Sequence, residues 1–318
     1  SARVDVGVSP HAPYTVGAEY WAALADDPVL SALPWMTHLA ESAEELPAVC
    51  GDAGPMRALF AERGSAPGSW PGTGSVVARL AAAGCHVVVF DYRYFGDSGG
   101  EPRELVAVRR QLKDWRAAVD FARRLDGVDP DRIALWGTSY SGGHVVEVAS
   151  RDPRIAAVVS QVPNLDGLAT LRFLIKHEPA RRLRWLSGVI VRDALRGLFR
   201  REPLYVTSIG REGELASYVS NESYEQVQQI AGPNFRNRFA PRDFLRPPPY
   251  RPGKRIEKLA CRIMLVGAEN DTLTPAEPVK KAAARLGTRC EFVSYPIGHF
   301  GAYVEPTLSD SLARQTSF

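Results

Sequence analysis

The sequence predicts an α/β protein: a mostly parallel sheet with helices on both faces and a helical block inserted late in the chain. Three observations predict it. Short runs at residues 85–90, 133–136, 155–159 and 263–266 are apolar almost throughout, and 291–295 is strand-like. Stretches of helical period separate them, as in 109–125, where Leu112, Trp115, Val119 and Phe121 recur. Runs apolar on both faces, alternating with helices, are what a sheet covered on each side requires. The alternation lapses between about 164 and 252, where helical stretches such as 183–198 and 222–231 follow one another without strands. Pro247-Pro248-Pro249 and Pro252 close this block as an extended linker. An insertion of this kind predicts a cap over a pocket.

Composition narrows the function. The chain has 318 residues, enough for a substantial core, and a formal charge of only +3. Its basic residues form no dense block, so no nucleic-acid partner is expected. No apolar run reaches the length of a membrane span, so no membrane partner is expected, and the location expected is cytoplasmic. The four cysteines, Cys50, Cys85, Cys261 and Cys290, form no CxxC pair, and Cys85, Cys261 and Cys290, beside apolar strand-like runs, read as reduced core residues. The oligomeric state is left open, a homodimer among the alternatives.

Chemistry concentrates after three of the strands. Gly137-Thr-Ser139-Tyr-Ser-Gly-Gly143 lies between a strand-like and a helix-like run. A serine there, with small residues two positions away on either side, fits a sharp turn that exposes its hydroxyl above the sheet. Gly137 and Ser141 are small enough, although glycine is usual at the second place. Asp271 follows the strand at 263–266, and His299 follows the last strand in Pro296-Ile-Gly-His299. Catalytic groups of open parallel sheets gather at such carboxyl ends. A serine hydroxyl is too weak an acid to attack unaided, so His299 would take its proton and Asp271 would fix the imidazole. Glu269 is the rival acid. Gly96-Asp97-Ser98-Gly99-Gly100 imitates another protease motif but reads as a turn after a strand. Arg93 either binds a substrate carboxylate or ties loops together.

With these motifs in register, residues 76–318 resemble an α/β-hydrolase of the serine esterase and peptidase type, near the dienelactone-hydrolase-like and X-Pro-dipeptidyl-peptidase-like branches. Asp91-Tyr-Arg-Tyr-Phe-Gly-Asp-Ser-Gly-Gly-Glu-Pro-Arg103, Trp136–Gly143 and Gly298-His299-Phe300 carry the likeness. The resemblance implies an oxyanion hole with the Tyr140 N–H as one donor. The usual His-Gly strand that supplies the other is missing. Residues 1 to about 64 instead resemble a fragment of a metal-dependent amidohydrolase, through Val8-Ser-Pro-His11-Ala-Pro-Tyr14 and Met36-Thr-His38-Leu-Ala-Glu41. In that family His38 would be a ligand and Glu41 an acid/base group. With no His-x-His pair anywhere, neither a metal nor a cofactor is expected.

The fragment is expected to form a βαβα unit that completes the sheet, with strands at 4–8 and 35–38. The second strand would fill the His-Gly slot and make Leu39 N–H the second oxyanion donor. Four regions follow: 1–72, the amidohydrolase-like segment; 73–163, first part of the core; 164–252, cap; and 253–318, second part of the core. The expected activity is hydrolysis of small carboxylic esters of short to medium acyl chain through Ser139, His299 and Asp271. An X-Pro-type peptidase or amidase and a non-catalytic binding protein are the alternatives. His38, Tyr140 and Trp185 are the candidate substrate contacts. Leu186, Val189, Ile190 and Leu198 are further candidates for lining an acyl pocket.

Overall fold

The structure is a computed structural model that describes residues 85–231, 235–245 and 249–318, together with Leu80 and the backbone of residues 5–9. In chain order the core opens with β1 (Asp5–Ser9), β2 (Cys85–Val89), α1 (Val108–Ala122), β3 (Ile133–Thr138), α2 (Tyr140–Ala149) and β4 (Ile155–Gln161). The inserted block holds α3 (Gly167–His177), α4 (Ala180–Leu198), β5 (Val206–Thr207), β6 (Ile209–Gly210), β7 (Tyr218–Val219), α5 (Asn221–Ile230) and β8 (Arg238–Phe239). The core resumes with β9 (Arg262–Ala268), α6 (Ala276–Leu286), β10 (Cys290–Tyr295) and α7 (Thr307–Ser317).

Six strands form one sheet in the order β10-β9-β4-β3-β1-β2, and every pairing is parallel. The predicted α/β-hydrolase architecture is therefore present. Side chains alternate across the sheet, as the pleat demands. Ile133 and Leu135 of β3, Val158 of β4 and Ile263 and Leu265 of β9 face one layer, where Trp115, Val145, Val279 and Leu286 of α1, α2 and α6 meet them. Trp136, Val159, Met264 and Val266 face the other, against Phe318 beyond α7. Trp136 Nε1 donates to Gln315 Oε1 of α7 at 2.6 Å, so even the large ring leaves no buried donor unpaired.

Two expectations need correction. The slot between β2 and β3 is filled by β1, whose residues pair in register with both neighbours, and not by the strand expected at 35–38. An inner strand must satisfy both of its hydrogen-bonding edges, and the short run Asp5–Ser9, with valine alternating with small residues, does so. Residues 35–39 lie outside the described residues. The inserted block also contains strands: β5 pairs antiparallel with β8, and β6 pairs parallel with β7. Ladders two residues long carry no alternation that a sequence can display.

Both roots of the inserted block are stapled beside the sheet's carboxyl edge. Asp166 caps α3 by accepting from the N–H groups of Leu168 and Ala169 at 3.0 and 3.2 Å. The same carboxylate takes a two-pronged contact from Arg251, at 2.8 and 2.6 Å, where the chain returns. Backbone bonds from Gly167 N to Tyr250 O and from Gly253 N to Leu165 O, both 2.9 Å, complete the staple.

Candidate active site

Ser139 sits between β3 and α2 with φ +56° and ψ −119°, a conformation that L residues rarely adopt. Its N–H donates to Gln161 O at 2.9 Å, and its carbonyl accepts from Asn164 N at 2.9 Å, so the end of β4 holds the bend on both sides. Close packing explains the small neighbours. A Cβ on Gly137 would lie 2.5 Å from the Ser141 carbonyl oxygen, and one on Gly142 2.8 Å from Pro163 Cβ. Ser141 does not have a positive φ, so a side chain is tolerated there. Its hydroxyl accepts from Tyr92 OH at 3.1 Å, and Trp115 Nε1 donates to Tyr92 OH at 2.8 Å. The departure from glycine is thus filled by a buried polar chain.

The structure brings the three predicted side chains together. His299 Nε2 is 2.9 Å from Ser139 Oγ, and His299 Nδ1 is 2.6 Å from Asp271 Oδ2. His299 and Asp271 are buried, whereas Ser139 is partly open. Asp271 is held by four groups. Oδ1 accepts the N–H groups of Leu273 and Thr274 at 2.8 and 2.7 Å, while Oδ2 accepts the Thr274 hydroxyl at 2.7 Å as well as the imidazole. A carboxylate satisfied in this way cannot rotate freely, so the imidazole it contacts is fixed in tautomer and plane. Glu269, the rival acid, is exposed and accepts from Ser294 Oγ at 3.2 Å.

Thr274 and Tyr303 are positioning residues that sequence reasoning missed. Thr274 Oγ1 reaches Asp271, lies 3.2 Å from His299 Nδ1 and is 3.2 Å from the carbonyl of Val162, a β-branched residue at φ +37°. Tyr303, at the end of the turn His299–Tyr303, hydrogen-bonds Thr138, the residue before the serine. The Thr274 signal was available, since an Asp followed three positions on by Thr before a helix is a local side-chain-to-backbone capping pattern. Tyr303 gives no such signal, because its partner lies in a distant strand.

Tyr140 opens α2, where a backbone N–H has no intrahelical acceptor. Its ring is exposed and stacks on Tyr250 with centroids 6.1 Å apart. Beneath it, His144 is fully buried, with Nε2 3.1 Å from Gln111 Oε1 and Nδ1 2.8 Å from Tyr250 OH. Burial pushes the His144 imidazole down to about 3, so it is neutral. It accepts from Tyr250 and donates to Gln111. His144 is therefore a packing residue, not a base.

Trp185 is half-buried on α4. Leu198 is 77 % exposed, which removes it from any pocket lining. Arg93 binds Asp114 of α1 through Nε at 2.7 Å and ties the loop after β2 to that helix. In the Gly96–Gly100 stretch, Ser98 Oγ donates to Asp91 O at 2.8 Å, the geometry of a closed turn. Cys85, Cys261 and Cys290 are half-buried. Among the described residues no group of three or more His, Cys, Asp or Glu is placed to hold a metal ion. His11, His38, Leu39 and Glu41 lie outside the described residues.

A strained serine after a central parallel strand, backed by a buried histidine and aspartate from later strand ends, defines a class that comparison bears out. A model of the alpha/beta hydrolase family matches residues 58–306, and the chain belongs to that family. The match begins well before residue 76, so part of the front segment lies within the hydrolase family's span. The chain is 33 % identical over 242 residues to the quorum-quenching protein AidA of Acinetobacter baumannii, covering 76 % of this chain and 78 % of that one. It is also 33 % identical over 167 residues to the thiohydrolase apmlB of Arthrinium phaeospermum, covering 49 % and 52 %. Among solved structures, the alpha/beta hydrolase GrgF from Penicillium sp. sh18 superposes with a TM-score of 0.61 at 18 % identity, over 100 % of this chain and 92 % of that chain.

Proposed function

We propose that this chain is a serine hydrolase that cleaves small carboxylic esters through an acyl-enzyme on Ser139. The observation that carries the proposal is His299 bridging Ser139 Oγ at 2.9 Å and Asp271 at 2.6 Å from its two ring nitrogens. Ser139 Oγ attacks the ester carbonyl as its proton passes to His299 Nε2. Asp271 steadies the imidazolium, and the Tyr140 N–H donates to the developing oxyanion. Collapse breaks the carbon–oxygen bond, and His299 returns the proton to the leaving alkoxide. Water, deprotonated by the same imidazole, then releases the acid and restores the serine. The exposed Tyr140 ring and half-buried Trp185 are the proposed substrate contacts.

A thioester presents the same carbonyl with a better leaving group, and the relative named as a thiohydrolase supports including thioesters. The relative named for quorum quenching adds small signalling molecules to the test set. A panel of acyl esters and thioesters of rising chain length, with an aminoacyl amide as control, tests the proposal. Turnover of esters and thioesters but not the amide, lost in Ser139→Ala, is expected. Undiminished turnover by Ser139→Ala would refute it.

A further inference from the structure

The cap helices leave several of their apolar side chains uncovered. Neither α3 nor α4 buries a single apolar residue; the one buried residue in both is Asp193. On α4, Arg184, Gly188, Val191, Leu195 and Leu198 follow at intervals of four and three, one stripe of the helix. Val191, Leu195 and Leu198 are 44 %, 51 % and 77 % exposed, with Phe199 beside them at 73 %. On α3, Leu171 and Ile175 repeat the pattern one turn apart and are at least half exposed. Single exposed leucines are ordinary, but a stripe at helical spacing on two successive helices is a contact surface.

Charge says what kind of surface it meets. Residues 171–202 hold nine basic and three acidic side chains, a net of +6, while the whole chain carries only +3. The remainder is therefore net −3, so the hairpin carries a local positive excess although most of the 39 basic residues lie elsewhere. Seven of the nine are exposed, Arg181, Arg184, Arg192 and Arg200 among them, against one exposed acid, Glu202. A two-fold contact between copies would set this basic patch against itself, which disfavours self-association. Apolar side chains flanked by arginines, whose stems can lie along the apolar layer while the guanidinium reaches phosphate, fit an anionic lipid surface.

We infer that the α3–α4 hairpin is a docking face for anionic phospholipid membranes. It rests on the surface alone and stands whether or not the esterase proposal holds. The expectation of no membrane partner rests on the lack of a spanning segment, and a helix lying in the headgroup layer needs none. Among the described residues no helix is long and apolar enough to cross a membrane.

Flotation of the full chain with vesicles tests this, using phosphatidylcholine alone and phosphatidylcholine with phosphatidylglycerol. Binding to the anionic vesicles should exceed that to the neutral ones by ~10-fold or more and should weaken as salt is raised. The double variant Leu195→Asp, Phe199→Asp should stop floating, while its circular dichroism and melting temperature stay unchanged. Arg181→Gln with Arg184→Gln should weaken binding only to the anionic vesicles. Equal partition onto both vesicle types would overturn the inference. So would a dimer in sedimentation that Leu195→Asp, Phe199→Asp converts to monomer, because the face would then belong to a second copy.

Discussion

The helix that follows the serine and the long helix of the inserted block are both rich in aliphatic residues, yet they are held by different means. Nine of the ten residues of α2 are buried, and valines at 145, 146 and 148 meet neighbours on every side. Only Asp193 of the nineteen residues of α4 is buried. That carboxylate accepts the Leu204 and Arg242 N–H groups at 2.8 and 2.9 Å, and the Arg242 guanidinium at 2.9 Å. Elsewhere the inserted block is tied by Arg236 and Arg238 on buried Glu104 and by Arg251 on Asp166. Behind the bend at Ser139, beside its backbone bonds to the end of β4, stands apolar packing, which is non-directional and shared among many contacts. The inserted block hangs on a few charged anchors, each replaceable at a definable cost.

Damage to the proposed relay should therefore remove chemistry without stability, and damage to an anchor of the inserted block should do the reverse. The largest effect is expected for Asp271→Asn, which leaves the loop's shape but offers the imidazole the wrong tautomer. The kcat should fall on the order of 10⁴-fold with the melting temperature nearly unchanged. Stopped-flow or steady-state assay of a soluble ester beside a thermal melt reads both quantities.

Next comes Asp193→Ala, which strands a nearly buried guanidinium and two backbone N–H groups. Urea unfolding should show a loss of about 3–5 kcal/mol. Per folded molecule, turnover of a small soluble ester should stay within about threefold, since no link of the relay is touched. A loss of turnover as deep as that of Asp271→Asn would erase the distinction between the two regions.

The smallest effect concerns acid. Burial holds His144 neutral down to about 3 in the folded chain, whereas an unfolded histidine takes a proton near 6.5. The unfolded state therefore binds more protons between these values. The stability this group contributes is complete above pH 6.5 and is lost as pH falls toward 3, at up to ~1.4 kcal/mol per pH unit. Urea midpoints at pH 7 and pH 5 should differ in that direction, and His144→Gln should flatten the difference.

Much of this was legible in the sequence because long apolar runs and fixed turn chemistry are local signals. The strands carrying Ile133, Ile155 and Ile263 are apolar on both faces, and the elbow glycines report close backbone contact directly. Asp271 and His299 could be placed because each follows such a run. What failed depends on partners distant in sequence. Nothing in Asp5–Ser9 announces that it lies between β2 and β3, since its pairing is set by two strands more than seventy residues away. Leu198 looks like a pocket residue because apolarity alone does not say which side of a helix meets the core. The basic excess of residues 171–202 was legible as a local count, but which of its side chains face outward was not.

Whether Ser139 is the one nucleophile is read from a covalent probe. Treatment of the intact chain with a fluorophosphonate, followed by peptide mass mapping, should give one adduct on Ser139. That adduct should vanish in Ser139→Ala and form far more slowly in His299→Ala. An adduct on a different serine, or labelling of Ser139→Ala as fast as the parent, would contradict the relay.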